Sequence, residues 1–248
     1  MTKFVEKPNL PKYKVNCVIA GVLCRELYDY LDNKGIEILH IEPNLNIDAA
    51  VSFHADMAVL HLGRNKIILE RNQKELADTL KNSGFEVYLT DCFIKGEYPS
   101  DIGLNFTVMA DKIIGKTDSA DRKLGELTGS LKKINVRQGY CKCSCLVVDE
   151  NAIITDDESI YKALLNNGVE ALKIDKGDIR LPGHNYGFIG GASCKISQDE
   201  ILFFGDITGH RDYKKIAGFI EKHGFKIEHL NFPLTDFGGI IPITEKAP

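Results

Sequence analysis

The residues of this 248-residue chain best suited to chemistry are a histidine and an aspartate, His54 and Asp56, inside the otherwise apolar run Val51 to Leu62, and two sets of cysteines. Residues two apart on an extended strand point to one side, so a strand here presents the imidazole and the carboxylate together. A histidine near a thiol can act as its general acid or base, and carboxylates beside them can hold a cation. One thiol candidate is Cys194, which follows the pair Gly190-Gly191; two glycines let a ligand approach the backbone closely. The other is Cys143 in the run Cys141, Cys143, Cys145, whose spacing puts all three on one face of a strand. That run reads as core packing for at least two of them, as a nucleophile at Cys143 or Cys145, or as a soft-metal site. Neighbours on that face lie about 6–7 Å apart, wide for one tetrahedral zinc, so no metal is expected.

Asp101, Asn105 and Asp236 fall on or beside expected strands, where they could bind a cationic ligand. A turn role for Asp101, after Pro99-Ser100, fits equally well. The loop Gly183 to Gly187 offers His184 as an alternative acid/base and Asn185 as a further polar contact. Gly205 to His210 has a phosphate-loop look without the Gly-Lys-Ser/Thr signature, and no helix follows Gly187 to Gly191, so no nucleotide or other cofactor is expected.

The elements that must position these residues repeat along the chain. Four times a helix ends on a glycine and a strand follows: at Gly35, Gly84, Gly168 and Gly224. The glycines are 49, 84 and 56 residues apart, and Leu124 to Val136 supplies the unit missing from the long interval. Each unit offers a strand, a tight turn, a second strand, a helix and a third strand. The expected first strands are Phe53–Leu62, Ile102–Val108, Cys141–Val148, Gly187–Ile196 and Phe237–Ile243. Helices are expected over about Gln73–Ser83, from near Asp121, from Asp156 or Asp157, over about Tyr213–His223 and over Arg25–Lys34. The expected fold is α/β: a single domain over 1–248 forming a five-bladed ββαβ pseudo-propeller. Its units are about 53–91, 99–137, 140–176, 186–231, and 235–248 joined to 14–43, so both chain ends share one blade and the ring closes without a free sheet edge.

With its five units, the chain resembles the pentein, or guanidino-group-modifying, superfamily. That group includes arginine deiminase, dimethylarginine dimethylaminohydrolase, amidinotransferases and the non-catalytic ribosome anti-association factor 6. His54-Ala55-Asp56 resembles the deiminases' His-x-Asp strand, and Gly190-Gly191-Ala192-Ser193-Cys194 resembles the pattern around their nucleophilic cysteine. The resemblance implies a narrow central channel with active-site residues on the first strands around it. In those enzymes the cysteine usually sits near the C-terminus. The equivalent stretch here, Asp236 to Ile243, keeps its glycines but has no thiol. The chain is therefore expected to be a divergent member, either with its roles redistributed around the ring or silent in catalysis.

Breaking a guanidinium takes a thiolate at its central carbon, carboxylates on its N–H groups and an acid for the leaving amine. The leading expectation is a thiol-dependent hydrolase or amidinotransferase acting on a small guanidino compound. Cys194 or Cys143 would be the nucleophile and His54 or His184 the acid/base; Asp56, Asp101, Asn105, Asn185 and Asp236 would bind substrate. The alternative is a non-catalytic module binding a small cation or a macromolecular partner at the channel mouth. A net charge of −4 gives no footprint for nucleic acid, and no apolar run is long enough to span a bilayer. Seven cysteines and a polar N-terminus without a signal-peptide core lead to an expectation of reduced thiols in the cytoplasm.

Overall fold

A computed structural model describes residues 1–248. The chain forms five small sheets that repeat one motif. The first sheet comprises Val59–Gly63, Lys66–Leu69 and Glu86–Leu89; the second, Thr107–Met109, Lys112–Gly115 and Lys132–Asn135. The third comprises Cys145–Asp149, Ala152–Thr155 and Glu170–Lys173; the fourth, Ser193–Lys195, Glu200–Phe203 and Lys226–His229. In each, the first strand pairs antiparallel with the second, and the second pairs parallel with the third. A parallel pair needs a crossover, and the helix of each unit supplies it.

The fifth sheet joins both ends of the chain. Ile241–Lys246 pairs antiparallel with Lys14–Ala20, which pairs parallel with Glu37–His40. A fourth strand, Thr2–Phe4, adds to its edge against Thr244 to Lys246. The sequence marks this N-terminal segment only as polar, and no strand is expected there.

The crossover helices are amphipathic, and their apolar stripes face the sheets. Lys74–Asn82 buries Leu76, Ala77 and Leu80, and Tyr213–Lys222 buries Ile216, Phe219 and Ile220. Asp157, one of the two expected caps, accepts hydrogen bonds from the Ser159 and Ile160 backbone N–H groups, and Asp121 accepts from Lys123. Gly35, Gly84, Gly168 and Gly224 all have φ between 69° and 88°, the left-handed conformation that closes the helix before each third strand.

Apolar side chains from successive sheets interleave. Leu60 and Ile68 of the first sheet pack with Val108 and Ile113 of the second; Met109 and Ile114 of the second pack with Val147 and Ile153 of the third. Leu146 and Ile154 join Ile201 and Phe203 of the fourth, and Leu202 and Phe204 join Val15 and Val18 of the fifth. Ile19 and Ile241 of the fifth then pack with Ile67 and Leu69 of the first. No helix is long and apolar enough to cross a membrane.

The first strands are the expectation that needs correction. They begin at Val59, Thr107, Cys145, Ser193 and Ile241, four to six residues later than the pattern indicated. Most apolar residues ahead of each are buried but not in strands, Phe53 being exposed. Their N–H groups bond across units instead: Asp56 N donates to Gly238 O (3.0 Å), Gly190 N to Cys143 O (2.7 Å), and Phe237 N to Gly191 O (3.1 Å). Burial therefore imposed no ladder, because the backbone groups found partners elsewhere. These converging turns build the candidate site.

Candidate functional site

His54 and Asp56 do not lie on a strand. His54 precedes a single helical turn, Ala55–Ala58, with extended backbone angles (φ −82°, ψ 120°), and Asp56 sits inside the turn. The cysteine run is likewise bent. Ser144 N bonds to Tyr140 O and Cys145 N to Lys142 O, so residues 141–144 form a turn and only Cys145 enters the strand. The turn separates the three thiols. Cys141 and Cys145 lie 4.0 Å apart, sulfur to sulfur, in the apolar layer between the second and third sheets. Cys143 points elsewhere, into a cavity of about 230 Å³ that it shares with His54, Asp236 and Tyr140.

Asn105 holds that turn in place. Its Oδ1 accepts from Lys142 N (2.8 Å), while its Nδ2 donates to Asp56 O (3.1 Å) and lies 3.0 Å from the Cys143 sulfur. A buried amide that spends donors and acceptors this way positions the residues of two units at once. Asn105 does not line the cavity, so it supports the site from behind.

Asp236 is fixed by two backbone donors: Phe188 N to Oδ2 (2.8 Å) and Gly238 N to Oδ1 (2.9 Å). Its Oδ1 lies 3.9 Å from His54 Nδ1, which has no hydrogen-bond partner in the chain. Neither carboxylate oxygen of Asp56 has a partner of hydrogen-bonding geometry either. Both aspartates are buried, and burial is the main cause that raises both carboxyls, Asp56 to about 6. His54 opposes the shift, and Asp236 adds to that of Asp56. Burial, followed by the charges of Asp56 and Asp236, pushes the Cys143 thiol well above its ordinary value. Unpaired buried carboxylates are costly. Asp56 is such a group, and with the backbone-held Asp236, an unpaired imidazole and a thiol beside it the site is one that a planar cation would satisfy.

Glycines make this approach possible. A Cβ on Gly191 would lie 1.9 Å from Asp236 Oδ1, and one on Gly238 (φ 77°) would lie 2.2 Å from the His54 ring. Gly191→Ala is therefore expected to displace the Asp236 carboxylate, lowering stability by about 1–3 kcal/mol and removing ligand binding; urea unfolding and calorimetry measure the two.

The other candidates are distributed as follows. Cys194 lies on the strand Ser193–Lys195, in the apolar layer with Leu202 and Ile196, outside the cavity; burial pushes its thiol up to about 12. The glycine pair before it does reach the site, since Gly190 N and Gly191 N both donate to Cys143 O. The motif thus serves a different cysteine from the one it precedes. Asp101 is also outside the cavity. It accepts the Tyr140 hydroxyl hydrogen bond (2.6 Å) and so fixes the wall, where the Tyr140 ring stacks against Phe188 at 6.3 Å. His184 and Asn185 line the cavity, but His184 is exposed and pairs with Asp48 (3.4 Å), away from the buried carboxylates. Sequence reasoning missed Tyr140, Phe188 and Asp48. Nothing in their spacing marks them, because they come from separate loops.

The raised Asp56 carboxyl carries a stability signature. An unfolded aspartate titrates near pH 3.9, whereas Asp56 holds its proton to about 6 in the folded chain. Its contribution is then full below about pH 3.9 and lost as pH rises past about 6. From this group the unfolding free energy should fall by on the order of 3 kcal/mol across that window. Asp56→Asn, which mimics the protonated acid, should flatten that part of the curve relative to wild type. Urea unfolding at several pH values tests this, and parallel wild-type and variant curves would refute it.

Solved structures share the whole architecture. An amidinotransferase of the saxitoxin biosynthetic pathway from Microseira wollei matches with a TM-score of 0.60 over 97% of this chain and 98% of its own, at 11% identity. The inosamine-phosphate amidinotransferase of Streptomyces griseus matches at 0.62, covering 98% of this chain and 97% of its own, at 12% identity. The agmatine deiminase of C. jejuni matches at 0.55, covering 91% of each chain, at 12% identity. The fold is that of the pentein, guanidino-group-modifying superfamily. The chain belongs to DUF6873, a family of unknown function whose model matches residues 18–241. No curated protein matches the sequence.

Proposed function

We propose that this chain is a thiol-dependent hydrolase or amidinotransferase of a small guanidino compound, with its five sheets acting as the blades of one closed pseudo-propeller domain around the site. The observation that carries the reading is one cavity holding Cys143, His54 and Asp236, with the unpaired Asp56 carboxylate behind them. Cys143 is the nucleophile, His54 the acid/base, and Asp56 and Asp236 the partners of the guanidinium N–H groups. The fold shared with amidinotransferases and an agmatine deiminase supports the same chemistry.

In this scheme Cys143 Sγ bonds to the guanidinium carbon after giving its proton to His54. His54 returns that proton to the leaving nitrogen as its bond to carbon breaks. The amidino group, now bonded to sulfur, keeps its positive charge against the two carboxylates. Water then attacks the same carbon and loses a proton to His54. As the C–S bond breaks, the sulfur takes that proton from His54 to become the thiol again, and the O-protonated product gives its proton to solvent as it leaves as a carbonyl compound. An amine in place of water completes an amidino transfer.

The test is incubation with agmatine, arginine and a methylated arginine, followed by assay for the carbonyl product and by mass measurement of the acid-quenched protein. Turnover with an adduct on Cys143 is expected. The position of the adduct provides a second readout: it should lie on the buried Cys143 and not on the exposed Cys92. No product and no adduct on Cys143 would leave the chain as a binding member of the fold.

A further inference from the structure

The hollows around the thiol carry a one-sided charge. The cavity of about 230 Å³ opens beside a wider hollow of about 530 Å³, and the two share Asp48, His54, Leu181 and Asp236. Neither is lined by a lysine or an arginine. Lys142, whose charge reaches Asp56 and Asp236, lines neither hollow, and the Lys176 ammonium rests on the Tyr186 ring (5.5 Å), 3.5 Å from that hydroxyl, likewise without lining either. Asp48 stands at the mouth. Its Oδ1 accepts from Ala50 N (2.8 Å) and pairs with His184 Nε2 (3.4 Å), while its Oδ2 makes no hydrogen bond within the chain. Val51 and Leu181, on the same lining, give an apolar wall between the mouth and the buried groups.

A ligand entering with its guanidinium toward Cys143 leaves its other end near Asp48. An α-carboxylate there would meet the Asp48 carboxylate, with no lysine or arginine on the lining to pair with it and His184 already paired with Asp48. An ammonium there would find the free oxygen of Asp48, and its methylene chain would lie on Val51 and Leu181. At roughly eight water volumes, the inner cavity suits a short chain.

We infer that the substrate is a short aminoalkylguanidine, with a cation at each end, and that Asp48 selects its amine tail over the carboxylate of a guanidino acid. This rests on the guanidino reading above and narrows it.

Turnover is compared for agmatine, the neutral-tailed butylguanidine and arginine, with wild type and Asp48→Asn. Asparagine keeps the oxygen that accepts from Ala50 N, so the loop retains its turn. Wild type should favour agmatine over butylguanidine by about five- to tenfold in kcat/KM and reject arginine more strongly. Asp48→Asn should bring the agmatine-to-butylguanidine ratio close to one. An unchanged ratio, or arginine turned over as well as agmatine, would overturn the role of Asp48 while the guanidino chemistry stood. Failure of all three compounds to turn over or bind would overturn both readings. If Asp48 merely pins its own loop to His184, the variant should lower all three rates together, which also refutes selection.

Discussion

Cys143→Ser is expected to lower turnover of a guanidine by about 10⁴-fold or more while leaving substrate binding intact. The substitution changes one atom in a turn that Asn105 holds through backbone contacts to Lys142 N and Asp56 O, and these do not involve the sulfur. The chemistry is more exacting. In the free protein the thiol is kept protonated by burial and by the Asp56 and Asp236 charges. A bound guanidinium places a positive charge among those carboxylates, reverses the local field and favours the thiolate. A serine hydroxyl begins several units higher and gains too little from the same field to ionise. Product assay and calorimetry measure the two halves of the prediction. If Cys143→Ser retained turnover and Cys194→Ser lost it, the nucleophile would be misassigned.

Asp236→Asn is expected to cost both activity and stability. Each Asp236 oxygen accepts a backbone N–H, one from Phe188 and one from Gly238. An asparagine has one oxygen, so its amide N–H₂ would face one of those donors in either orientation. Leaving a buried donor unpaired costs about 1–3 kcal/mol. The lost charge also removes a guanidinium partner and the carboxylate nearest His54. Turnover should fall by about 10²–10³-fold, with the midpoint of urea unfolding lowered in parallel. An unfolding midpoint equal to that of wild type would mean that the two backbone bonds do not hold the carboxylate as described. Wild-type turnover in Asp236→Asn would exclude Asp236 from the site.

The site's ionisation gives a further contrast. In the proposed scheme Asp56 must be charged to pair with a guanidinium, yet burial holds its proton up to about pH 6. Substrate affinity gained from Asp56 therefore rises with pH through the same window in which its contribution to stability falls.

Much of this architecture is legible in the residues. The glycine-closed helices appear where Gly35, Gly84, Gly168 and Gly224 stand, because those four positions need a left-handed conformation. The second strands, such as Ala152–Thr155, match their apolar runs because they lie in the middle of each sheet with both faces covered. The first strands misled for a related reason. Buried apolar residues in 141–144 look like more strand, although their hydrogen bonds cross to other units and the chain is bent. Periodicity reports burial, and burial alone does not distinguish a ladder from a buried turn.

The sequence by itself determined the five repeated units, the shared sheet of the two chain ends and the residue types the chemistry requires. Each of these follows from local patterning, which sets where a helix closes and which face is apolar. Only the tertiary structure decided which thiol meets which carboxylate. Cys143, Asp236 and the single loop that carries both Asp48 and His54 come from three separated segments, and Cys143 faces the cavity rather than the apolar layer because Asn105 and the Gly190-Gly191 amides bend its turn inward. Contacts of that kind depend on how units converge in space, which no spacing within a single unit encodes.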